Sequence, residues 1–543
     1  MRGGIYFYYR FLPSLFAPVE MTVDCTSKHF YEQSFVNGDS ILMTKTSANS
    51  LSVSLSRLIM PRLMLSQYKK NRVYRKKIRN SIKQQRTVGF CVFSGSTDDA
   101  RTIIAELRAL TKSKLLFSCD CEWGLTMRLS GDATEFPHAL ALAHSAYPDA
   151  VYKAALSIGR EMKAVGLDWN FAPVADVNSD RNNPIINIRA FGEIPEIVSH
   201  FSVIYAEGLR DAGIIATAKH FPGHGQTKTD SHLALPVLKI STKHFEKIEL
   251  PPFKHLIANQ IETIMTGHLA VPTVAKVLGA NDSEQILPAT LSPFLTQKLL
   301  RNQLGFDGVV VVDSMEMAGV KKLYPNDADA AELAIKAGND IILMSHDFEL
   351  VYSTLLERAE NDAVLAERIF ESAIRVETLI ATDRSKTKSH TSDTKELAQA
   401  IAKGAIETTV ENPSFDTIRQ YTIICDDNEL QATRFALLQQ LLQQWEYVAP
   451  EKLHSGGAVF ILERPRGKLL DQQGSETSVS NVSEFIARLV QTAINPECIF
   501  LLGNPYRETE VELLESGSIV KTFSDSEPSI RALAEWIGEQ YSN

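Results

Sequence analysis

The chain has 543 residues, a formal net charge of −9, 22% charged and 44% hydrophobic residues, and six cysteines. That length allows two or more domains, each with its own core, and the composition is ordinary for a globular protein. The acidic balance argues against a nucleic-acid partner, the cysteines are too few for a disulfide framework, and no apolar run reaches the length of a membrane span.

The start, "MRGGIYFYYRFLPSLFAPVEM", is a charge followed by aromatics. It lacks an aliphatic stretch and a small-residue cleavage site, so it reads poorly as a signal peptide and favours a cytoplasmic location. Residues 1–50 show no clear period and are read as an extension. The run "QYKKNRVYRKKIRNSIKQQR" (67–86) is basic. Its expected form is a solvated helix with Val73, Ile78 and Ile82 facing inward, and a nucleic-acid or membrane patch is the alternative.

From Val88 onward short apolar runs alternate with amphipathic stretches. The runs are "VGFCVF", "LLFSCD", "LDWNFAPV", "IIATAKHF", "IETIMTGH", "GVVVVD" and "DIILMSH". Between them lie "DDARTIIAELRALTK", "PEIVSHFSVIYAEGLRDAG" and "SPFLTQKLLRNQLG". Strand–helix alternation implies parallel strands joined by crossover helices, and continuous apolar runs imply burial on both faces. Seven strands are expected, with an eighth near "LSRLIMPRLM". A (β/α)8 barrel over 51–385 fits best, and a doubly wound open sheet is the alternative. A polar linker (386–397) precedes a smaller α/β domain (398–543), with strands in "YTIICDD", "GAVFIL", "CIFLLGNPY" and "SIVKTFSD".

Nearly every barrel strand ends on a residue able to do chemistry: Asp120, Asn170 and Asp176, Lys219 and His220, His268, Asp313, His346. In a barrel those ends share the C-terminal rim, where active sites form. Cys119 and Cys121 form C-x-C rather than C-x-x-C, and no metal or redox role is expected of them.

The segment "KHFPGHGQTKTDSH", Lys219 to His232, is the densest in chemistry. His220, His224, Asp230 and His232 are one conceivable zinc set, although Pro222 and Gly223 exclude the helical spacing of an H-E-x-x-H site. A purely structural loop is a second reading. The third is acid–base chemistry. Asp230 and His232 are two apart, so both can point the same way from an extended loop, and a carboxylate beside an imidazole fixes its tautomer and steadies its charged form. Gly223, Gly225 and "QTKT" are expected to make that loop mobile. Asp313, at the end of a buried strand, is then a candidate nucleophile.

These residues resemble glycoside hydrolase family three, in its bacterial β-N-acetylglucosaminidase branch. The resemblance is carried by "KHFPGHGQTKTDSHLALP", "GFDGVVVVDSMEM", "FAPVADVN", "NIRAFGE", "MTGHLAVP" and "PATLSPFLTQKLLRNQLGFDG", with "LLGNPY" in the second domain. It implies Asp313 as nucleophile, His232 as general acid/base and Asp230 as its partner. It implies that Lys219, His220, Arg189 and Asp120 hold the sugar, with Arg128 in register beside them. It implies a carbohydrate substrate containing N-acetylglucosamine and neither a cofactor nor a metal. One departure stands out: the family pattern D-x-E-G-G-x-V-x-R reads "DCEWGLTMR" here, so Trp123 replaces a glycine. Transfer of the sugar to phosphate, and a catalytically silent sugar-binding relative, remain the alternatives.

Overall fold

The computed structural model describes residues 45–543 apart from 228–234, 386, 389–392, 410–414, 416–417, 426–428, 454, 464–480, 493–494, 508–510, 512–517 and 542–543. Seven strands form one curled parallel sheet in chain order: β2 (Arg62–Met64), β3 (Gly89–Phe93), β4 (Leu116–Cys119), β5 (Trp169–Asn170), β6 (Ile215–Phe221), β7 (Thr263–Thr266) and β8 (Val309–Val312). A two-stranded parallel pair, β1 (Ile59–Met60) with β9 (Ile342–Leu343), joins its ends. Val311 bridges Ile341 on one side, and Val88 N–H donates to the Ile59 carbonyl on the other. Pro61, lacking an N–H, separates β1 from β2. Together β1 and β2 are the eighth strand expected from "LSRLIMPRLM", and the fold is a TIM-type α/β barrel followed by a second α/β layer.

Local chemistry fixes these elements. β8 is four valines, every one buried, as a strand covered on both faces requires. The helix Thr97–Arg108 opens on a reciprocal cap: Ser96 Oγ accepts from Asp99 N–H and the Asp99 carboxylate accepts from Ser96 N–H. Its Ala100, Ile103, Ile104 and Leu107 form the buried stripe. Pro195 opens the helix Pro195–Asp211, where its missing N–H costs nothing. In the basic run, Ile78 and Ile82 are buried but Val73 is 79% exposed. Val73 belongs to the first turn, beside the Asn71 cap, before the helix Arg72–Lys83 settles onto the barrel.

The second sheet has the order β10-β15-β14-β13-β11-β12: β10 (Glu407–Thr408), β11 (Gln420–Cys425), β12 (Glu446–Tyr447), β13 (Ala458–Glu463), β14 (Cys498–Gly503) and β15 (Ser518–Lys521). All pairs are parallel except β10 with β15. The four long strands are those read from the sequence, and the two-residue β10 and β12 are too short to leave a pattern. Residues 45–543 form one compact unit. No described helix is long and apolar enough to cross a membrane.

Candidate active site

β4 delivers Asp120 to the rim, and the chain then doubles back through Arg128. Asp120 Oδ2 accepts from the Arg128 guanidinium at 2.8 Å, and Oδ1 from the Lys219 ammonium at 3.0 Å. Lys219, near the end of β6, is 2% exposed and also meets Glu122 Oε1 at 2.7 Å. Arg189 closes the network, with Nη2 2.7 Å and Nε 2.9 Å from the two Glu122 oxygens. Burial opposes ionisation of Asp120, but Lys219 and Arg128 hold its pKa down at about 2. Glu122 is likewise buried, and Arg189 and Lys219 keep it well below the usual carboxylate range. Lys219 shifts the other way: burial disfavours its charge, and Glu122 and Asp120 outweigh that and raise its pKa. The result is a buried, permanently charged cluster of donors and acceptors.

A second carboxylate orders the histidines. The chain leaves β5 through Pro173, and Val174 bridges Lys219, which brings Asp176 alongside the end of β6. Asp176 accepts from His220 Nδ1 at 2.7 Å, from His220 N–H at 3.2 Å and from His224 N–H at 2.7 Å. Burial would raise its pKa; the His220 ring and these donors hold it below the carboxylate norm. The Asp176 carboxylate thereby fixes the orientation of the His220 ring. Gly223 and Gly225 also allow close packing here. A Cβ on Gly225 would lie 1.7 Å from the Val177 carbonyl oxygen, and Gly223 has φ +127° beside Glu249.

Asp313 follows β8. Its N–H donates to the Thr266 carbonyl at 3.0 Å, prolonging the β7–β8 ladder, and Ser314 N–H donates to its Oδ1 at 2.7 Å. His268, fully buried, has Nε2 2.8 Å from the Ser314 carbonyl and Nδ1 2.8 Å from Thr290 Oγ1. Its task is to hold the backbone that carries Asp313. Asn170 acts similarly, meeting Cys121 N–H and carbonyl at 3.0 and 3.1 Å. Two of the polar strand ends are thus braces, and His346 is exposed.

Burial drives the pKa of His224 down from 6.5 to about 4, with the Asp313 charge among the weaker opposing influences. The unfolded chain therefore binds a proton that the folded one refuses between those values. Stability is expected to fall as pH drops from 6.5 toward 4, by about 2 to 3 kcal/mol from this residue at pH 4.5. Urea unfolding at pH 7 and 4.5 checks this. His224→Asn, whose amide can keep the 2.6 Å contact with Thr227, should lose that much less on acidification. An equal loss in both proteins contradicts the assignment.

The structure thus gathers Asp120, Arg128, Arg189, Lys219, His220 and Asp313 on one rim. Asp230 and His232 lie outside the described residues. Glu122 escaped the sequence reading, although its spacing from Asp120, two residues on, was the available signal.

Fold and rim together define the class: an α/β barrel with a buried, charged strand-end site on its C-terminal face. The chain belongs to glycosyl hydrolase family 3, whose N-terminal domain matches residues 50–379. It is 33% identical over 352 residues to "Beta-hexosaminidase A" of Pseudoalteromonas piscicida, covering 60% of this chain and 56% of that protein. It is 34% identical over 279 residues to a "Beta-hexosaminidase" of Methylococcus capsulatus (strain ATCC 33009 / NCIMB 11132 / Bath), covering 50% and 79%. The chain spans about half the length of the first two curated relatives it matches, at 56% and 49%. Among solved structures it is similar to a family 3 β-N-acetylglucosaminidase from Paenibacillus sp. str. FPU-7: TM-score 0.71, 25% identity, covering 90% of this chain and 97% of that one.

Proposed function

We propose that the protein is a retaining β-N-acetylhexosaminidase that removes terminal β-linked N-acetylglucosamine, with peptidoglycan fragments as the natural source. The observation that supports it best is the charged cluster in which Lys219 joins Asp120 to Glu122 on the rim that also carries Asp313. Sugar hydroxyls both donate and accept, and the cluster offers carboxylates and cations side by side. The names of the relatives point the same way.

In this reading Asp313 attacks the anomeric carbon and its carboxylate becomes the ester of a glycosyl–enzyme. His232, steadied by Asp230, gives its proton to the departing oxygen and later takes one from the attacking water. Asp120, Arg128, Lys219, His220 and Arg189 hold the sugar, and Glu122 ties two of these cations together. Residues 51–385 form the catalytic barrel and 398–543 the supporting domain.

A chromogenic N-acetylglucosaminide assayed with and without phosphate tests the reading. Release of the chromophore and free sugar at a rate indifferent to phosphate is expected. A phosphate-dependent rate with a sugar phosphate as product indicates a phosphorylase, and no release indicates a silent binding relative. Activity is also expected to survive EDTA. Loss that zinc restores would implicate His220, His224, Asp230 and His232 as a metal set.

A further inference from the structure

The loop from Asp120 to His138 carries the sugar cluster at one end and meets the second α/β layer at the other. Trp123 directly follows Glu122 and is 5% exposed. Its indole lies on the His138 imidazole, with ring centroids 4.5 Å apart at 40°. His138 is 1% exposed, and its Nδ1 and backbone N–H meet Ser524 Oγ at 2.9 and 3.3 Å. Asp525 Oδ1 stands 3.9 Å from the same Nδ1. Three residues earlier, the Glu135 carboxylate accepts from the Arg434 guanidinium and from Glu527 N–H. Within the loop, Phe136 N–H donates to the Trp123 carbonyl at 2.9 Å, and a Cβ on Gly124 would lie 2.4 Å from the Thr134 oxygen. The two arms of the loop therefore move as one piece. Ile188, next to Arg189, packs in a small apolar cluster with Leu140, Ala141, Ala405 and Phe523.

We propose that the second domain positions the sugar pocket: the turn after β15, through Ser524 and His138, clamps Trp123 and so sets the place of Glu122 between Lys219 and Arg189. Trp123, which replaces the family's glycine, is directed to this seam. The side chain fills a gap between barrel and second domain that a glycine would leave open. Glu122 has little freedom to drift, because it answers both cations at 2.7 Å. Loosening the seam disturbs sugar binding before it disturbs bond cleavage, since Asp313 hangs from the β7–β8 ladder instead. Trp123, His138 and Ser524 are positioning residues, and the identity of the sugar rests on the function proposed above.

The test uses the full chain with Ser524→Ala, Trp123→Gly and Trp123→Phe, and Lys403→Met as a control that breaks an exposed ion pair with Glu539. Hydrogen exchange is read over residues 120–138, and KM and kcat on the chromogenic N-acetylglucosaminide. Ser524→Ala and Trp123→Gly should exchange faster in that loop alone and raise KM about 5- to 10-fold with kcat within about 2-fold. Trp123→Phe, which keeps a ring on His138, should recover most of both effects, and Lys403→Met should change neither. Unchanged exchange in 120–138, or faster exchange across the whole barrel, overturns the proposal. So does a loss that falls on kcat while KM stays put. If the wild-type chain turns over no N-acetylglucosaminide, the functional reading fails, and the exchange measurement still decides the seam.

Discussion

Asp313→Ala is expected to lower turnover by on the order of 10^4-fold, about 5.5 kcal/mol of barrier, without unfolding the barrel. The loss is large because the other carboxylates described on this rim are already engaged. Asp120 and Glu122 are committed to Lys219, Arg128 and Arg189, and Asp176 to the histidines. The fold should survive because Asp313 is only half-buried and its backbone N–H, which the substitution keeps, makes the ladder bond to Thr266. Thermal unfolding and kcat measured on the same preparation check both halves. Near wild-type kcat removes Asp313 from the mechanism.

The second large effect concerns His232. His232→Ala should slow a natural disaccharide by about 10^2- to 10^4-fold, and an aryl glycoside with a good leaving group far less in its first step. A sugar alkoxide needs its oxygen protonated as the bond breaks, whereas a nitrophenolate departs unaided. Attack of water on the intermediate still needs a base, so the aryl substrate should show a burst followed by a slow steady state. Asp230→Ala should show the same pattern more mildly, because it orients and charges the histidine without transferring the proton. Equal slowing of both substrates without a burst makes the pair structural. The size of the disaccharide effect follows from the loss of a placed proton donor, for which a stray water is a poor substitute.

Much of this was legible in the sequence for a simple physical reason. Parallel strands buried on both faces must be apolar throughout, so the first polar residue after each run marks the rim. Asp120, Lys219, His220 and Asp313 were found that way. The same rule overreached at Asn170 and His268, because a strand end also needs polar braces for its turning backbone, and a brace and a ligand look alike in one dimension. The runs holding β1, β5 and β9 were legible as apolar stretches, but barrel closure through Ile59 and Ile342 was not, because it depends on pairing across nearly the whole barrel. Gly225 read only as a source of loop mobility; its close approach to the Val177 carbonyl has no signature in the sequence, because a glycine needed for packing and one chosen for mobility are the same letter. Trp123 stood out only as a departure from the family pattern; its partner, His138, is fifteen residues on, and that one's partner, Ser524, follows β15 of the second sheet.

The central claim is a covalent bond between the sugar and Asp313, and trapping that bond tests it most directly. A fluorinated N-acetylglucosaminyl fluoride slows the second step more than the first, so the enzyme should lose activity in a time-dependent manner. Peptide mass spectrometry of the inactivated protein should then find the sugar on the segment containing Asp313, with the product of normal turnover retaining the β configuration. Label on the Asp120–Glu122 segment, or an inverted product with no label at all, would contradict the account.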